Sequence, residues 1–61
     1  MRISVIKQVP LQPMTTDEAA LEMDRMGFSF WMFQEKDSGR VNVIFRRQDD
    51  SYGLLLPVSP K

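Results

Sequence analysis

The sequence predicts a small α+β domain of order β-α-β-β-β, with one helix packed on one face of a mostly antiparallel sheet. Three observations point there. Residues 16–26 carry a helical apolar stripe between a capping residue and a glycine. Four β-leaning runs, at about 2–8, 28–34, 41–47 and 52–56, are separated by turn residues. The run Phe28-Ser29-Phe30-Trp31-Met32-Phe33 is apolar on both faces apart from Ser29, although a half-buried strand should alternate. One helix covers one side of such a sheet, so the other side needs a second copy, a further domain or another partner.

Each element follows from its residues. Arg2 to Val9 leans to β through Ile3, Val5, Ile6 and Val9, and Pro10 and Pro13 end the run because proline cannot donate to a ladder. An opening strand over about 2–8 is expected, then an extended Pro10-Leu11-Gln12-Pro13. Thr15 and Glu18 have capping-box spacing, Asp17 and Glu18 suit the first helical turn, and Arg25 suits the last. Gly27 is the expected left-handed terminator. Ala19, Ala20, Met23 and Met26 form the buried stripe, Leu21 lies off its centre, and Asp17, Glu22, Asp24 and Arg25 point away. After the strand at 28–34, the polar loop Glu35 to Arg40 holds Gly39 where a positive φ is useful. In the returning strand Val41, Val43 and Phe45 alternate with Asn42, Ile44 and Arg46. The second turn, Gln48 to Ser51, has no glycine, but aspartate tolerates left-handed backbone better than most residues. The last strand stops at Pro57, leaving a single domain over 1–61 with its core at about 2–57 and a flexible tail at 58–61.

Composition narrows the chemistry. A chain of 61 residues buries only about 60% of the surface that its unfolded form exposes, and small folds are usually completed by disulfides, a metal or oligomerisation. Cysteine and histidine are both absent, which removes disulfides, thiolate nucleophiles and the commonest zinc ligands together. The acids fall at the helix start and in the turns, where capping and solvation explain them, and Gly27, Gly39 and Gly53 stand alone instead of forming a phosphate loop. Asp49-Asp50-Ser51 lacks calcium-loop spacing. The chain is therefore expected to be no enzyme, with no cofactor, metal or small-molecule substrate. Eight Lys and Arg balance eight Asp and Glu, which gives no electrostatic drive toward membranes or nucleic acid. No stretch is long and apolar enough to span a membrane or form a signal-peptide core, so a cytoplasmic setting is expected.

Arg46 and Arg47, with Arg2 and Lys7, are the candidate nucleic-acid contacts. Neighbours on a strand point to opposite faces, which favours a structural role in which one arginine pairs with an acid such as Asp49 or Glu35. Trp31 and Tyr52 could stack on bases, but the expected role of both is buried packing with the polar tip satisfied.

Lys7, Leu11-Gln12-Pro13-Met14, Asp17-Glu18-Ala19, Met23, Gly27, Phe30-Trp31-Met32-Phe33, Gly39, Val41-Asn42-Val43-Ile44-Phe45-Arg46-Arg47 and Tyr52-Gly53-Leu54 stand in an ordered set. That set resembles the C-terminal domain of the long-form ribosome hibernation promoting factors, a family also called sigma-54 modulation proteins, from about Ile3 to Pro57. The resemblance implies a non-enzymatic homodimerisation module. In that family a separate N-terminal domain occupies the small ribosomal subunit, and paired C-terminal domains join two ribosomes into an inactive dimer under starvation. This chain would then be either a portion of a longer protein, the favoured reading, or a stand-alone relative. The resemblance also implies which face is which, since alternation alone leaves that open. Phe30 and Met32, with Val43, Phe45 and Leu54, would form the dimer interface, while Trp31, Phe33, Ile44 and Leu55 would lie under the helix with Met23 and Met26. Two positions depart from the family pattern: Phe28-Ser29 replaces His-Asp, and Asp49-Asp50 replaces a glycine turn.

Overall fold

The helix forms where local sequence asks for it. In the computed structural model, which describes residues 1–60, helix α1 spans Thr16–Met26. The Glu18 amide donates to Thr15 Oγ1 at 3.1 Å and the Thr15 amide donates to Glu18 Oε1 at 2.9 Å, so the expected capping box is closed in both directions. Gly27 ends the helix at φ 74°, and the Gly27 and Phe28 amides take up the last carbonyls of Asp24 and Met23.

Four strands form one mixed sheet in the order β1 (Pro13–Met14), β2 (Phe30–Glu35), β3 (Val41–Arg46), β4 (Tyr52–Leu55). The β1–β2 pair is parallel and the other two pairs are antiparallel, as the predicted class requires. Gly39 at φ 72° turns the first hairpin, and Asp50 at φ 66° supplies the left-handed residue of the second. The helix lies on one face of the sheet. Met14, Ala19, Met23, Trp31, Phe33 and Ile44 make the core, and Val9, Ala20 and Phe28 pack against it.

Three expectations are corrected. The opening strand at 2–8 is absent: among the described residues none of 1–11 makes a backbone–backbone hydrogen bond, and β1 reaches only Pro13 and Met14. A strand needs an edge, and the protomer offers this segment none in register. Met26 is 47% exposed instead of lying under the helix, because Phe28 fills that end of the core. Leu54 and Leu55 exchange faces. The turn from Arg47 to Ser51 sets Tyr52 opposite Arg46, so Leu54 meets Ile44 on the helix side and Leu55 meets Val43 on the other side. The number of residues in a turn fixes strand phase, and one residue of slip moves every side chain to the opposite face. Val58 to Pro60 are exposed and outside any element, and Lys61, the end of the expected tail, lies outside the described residues.

Candidate functional site

Strand alternation divides the sheet cleanly. Trp31, Phe33 and Ile44 point to α1 and are buried, while Phe30, Met32, Val43, Phe45 and Leu55 point away from it. The register sets Phe30 opposite Phe45 and Met32 opposite Val43, so two apolar cross-strand pairs lie side by side across β2 and β3. Val41 extends the row beside Gln34. Phe30 is 56% exposed and Leu55 58%, high values for large apolar side chains grouped on one surface. None of the side chains that this face takes from the strands is charged.

Gly53 completes the face in a way that sequence reading overlooked. It sits opposite Phe45, and a Cβ at position 53 would collide with the outer carbons of the Phe45 ring. The ring therefore lies directly over the glycine backbone, an aromatic covering that glycine alone permits. The signal was present in the sequence as an isolated glycine inside a strand. Its cross-strand partner becomes readable only once the register is fixed.

At the strand start, Phe28 stacks on Phe30 at 6.5 Å and on Trp31 at 5.7 Å between ring centroids, which couples the open face to the core. Lys7 Nζ stands 5.1 Å from the centre of the Phe28 ring. The indole N–H of Trp31 is buried with no hydrogen-bond partner among the described residues, contrary to the expected satisfied tip. Tyr52 has the expected satisfied tip, its hydroxyl donating to Asp24 Oδ2 at 2.9 Å, but the residue is 45% exposed instead of buried.

The arginines have other roles. Arg46 pairs with Asp24 of the helix, not with Asp49 or Glu35, and its guanidinium lies 5.4 Å from the Tyr52 ring centre. Arg47 follows the strand and donates its amide to the Ser51 carbonyl at 2.7 Å. Both border a shallow polar depression with Gln48 and Asp49. The carboxyls held below their usual range are local to caps, turns and a helix-surface pair. Glu18 is held by the Thr15 amide, Glu35 by the Asp37 and Ser38 amides, Asp49 by the Ser51 hydroxyl and amide, and Glu22 by Arg25. None of them projects onto the open face. Among the described residues no group of acids could hold a metal ion, and no helix is long and apolar enough to cross a membrane.

The architecture defines a class: a one-helix α+β domain whose sheet is covered on one side and apolar on the other. The chain belongs to the family described as Sigma 54 modulation/S30EA ribosomal protein C terminus, which matches residues 1–54. It is 45% identical over 49 residues to the ribosome hibernation promotion factor of Lactococcus lactis, and 39% identical over 51 residues to that of Bacillus subtilis. It is also 39% identical over 54 residues to the factor of Mycobacterium tuberculosis. These matches cover 80%, 84% and 88% of this chain but only 26%, 27% and 25% of the relatives, so the chain spans about a quarter of their length.

Proposed function

We propose that the open sheet face pairs two copies of this domain. In a longer ribosome hibernation factor, that pairing would join two ribosome-bound molecules and so silence ribosomes under stress. The observation that carries this reading is the uncharged row Phe30, Met32, Val43, Phe45 and Leu55 on the side that α1 does not cover. The relatives' names supply the ribosome, which the remaining three quarters of such proteins would contact in the cytoplasm. The domain itself does no covalent chemistry in this reading. Its role is to bury apolar surface against an identical surface, and a two-fold axis is the simplest closure for a self-complementary patch.

Paired substitutions test the face. Phe30→Ala is expected to weaken pairing by two orders of magnitude or more, since truncating a tightly packed phenylalanine costs about 3 to 5 kcal/mol. Trp31→Ala, on the helix side, is expected to lower the melting temperature instead by opening the core. Sedimentation of both variants decides. A fully paired Phe30→Ala beside a dissociated Trp31→Ala would assign the interface to the wrong face.

A further inference from the structure

One edge of β2 is open. β3 pairs with β2 along Phe30 to Gln34, but on the other side β1 reaches only Gln34 and Glu35. The Gln34 amide donates to the Gln12 carbonyl on that outer side and the Glu35 amide donates inward to Arg40. By strand alternation, the N–H and C=O of Phe30 and Met32 also point outward, and no strand lies against them. Beside this edge runs a groove with Val5 and Val9 on one wall and Met26, Phe28, Trp31 and Met32 on the other. The buried Trp31 lines it, and its indole N–H finds no acceptor among the described residues.

The chain also carries a β-patterned segment with nothing to pair against. Ile3, Val5 and Ile6 are exposed, Ile6 to 83%, and residues 1–11 make no backbone–backbone hydrogen bond among the described residues. Their own β2 cannot serve them. Carried upstream, the β1–β2 register sets Val9 opposite Phe30, so residues 2–8 fall beyond the start of the strand, and Pro10 has no N–H to give. Each copy thus holds an unfilled edge and an unpaired β-patterned segment. Pro10-Leu11-Gln12-Pro13 is an extended, proline-stiffened joint between them.

We propose that residues 2–8 of a second copy add as a strand to the outer edge of β2, bonding the backbone of Phe30 and Met32, in a reciprocal exchange of N-terminal segments. The inference rests on the pairing proposed above and specifies its geometry. Exchange of an identical element is a low-cost route to a dimer, and it removes an apolar open edge that would otherwise template further association. The added strand borders the same Phe30 and Met32 whose side chains form the open face, so edge and face belong to one continuous interface. It also brings backbone carbonyls to the groove where Trp31 lacks an acceptor.

The test mixes chains labelled with nitrogen-15 and chains labelled with carbon-13, then reads isotope-filtered contacts in the intact protein. Contacts between the Val5 and Ile6 side chains of one copy and the Phe30 to Met32 stretch of the other are expected. The Phe30 and Met32 amides are expected to exchange at least tenfold more slowly than in a chain lacking residues 1–8. A dimer whose residues 2–8 show contacts only within their own chain, or to β4 of the partner, overturns the exchange and leaves pairing intact. A full-length chain that stays monomeric at about 100 μM overturns both.

Discussion

Glu18 shows how much of this fold is held by single side chains. Its carboxylate accepts the Thr15 amide and stands 3.8 Å from Lys36 Nζ, contacts that exist only in the folded chain. Its pKa is lowered, chiefly by the Thr15 amide, then by the Thr15 side chain and the Lys36 charge. A lowered folded-state value gives stability that is present above the ordinary glutamate range and lost as pH falls through the folded value. The melting temperature of the parent is therefore expected to fall more steeply than that of Glu18→Gln between about pH 5 and about pH 3. Equal slopes would remove the ionised cap from the account. Glu35 and Asp49 are shifted in the same direction, so acid sensitivity is expected to persist in the variant. Gly53 makes a different single-residue case. Gly53→Ala would push the Phe45 ring off the strand, and the ring tip can move without opening the core. The expected result is a pairing constant weakened by about tenfold, which is about 1.4 kcal/mol, with the helix retained by circular dichroism. Unchanged pairing would show that Phe45 is not part of the interface.

Elements differ in how much of their structure is written locally. Helix α1 has both ends fixed by residues within four positions of each cap, and the sequence locates it at 16–26, as observed. Thr15→Ala is expected to cost about 1 kcal/mol and lower the melting temperature by about 4 to 8 °C at matched concentration. An unaltered melting temperature would place the cap elsewhere. The docking of α1 on the sheet depends on a pair distant in sequence, Asp24 with Arg46 and Tyr52. These side chains are partly exposed, so Asp24→Ala is expected to cost about 1 kcal/mol or less, and Arg46→Ala and Tyr52→Phe are expected to add less than independently on that background. The two hairpins are legible because glycine and aspartate mark their turns. The phase of β4 is not, since it depends on how the second turn closes. The sequence pattern therefore suggests Leu54 for the open face, where the structure has Leu55. The N-terminal run fails for a further reason: its composition is that of a strand, but a strand also requires an edge in register, which no local pattern specifies. The partner of Arg46 was equally out of reach, since it lies in an element 22 residues away.

For the whole molecule the governing fact is surplus apolar surface. One eleven-residue helix buries one face of the sheet, and the other face leaves Phe30, Met32 and Leu55 exposed, with Val43 and Phe45 half-buried among them. Alternation in the sequence revealed that surplus, and the strand register supplied its shape. Burial of uncharged surface and contact with phosphate respond oppositely to ionic strength, because phosphate binding is driven by counterion release and weakens steeply with added salt. Sedimentation equilibrium of the intact chain from about 1 to about 100 μM, at low and high sodium chloride, therefore separates apolar pairing from phosphate contact. The expected result is the mass of two chains, with a midpoint that salt scarcely moves. The mass of one chain throughout, together with a cooperative thermal transition, would contradict it.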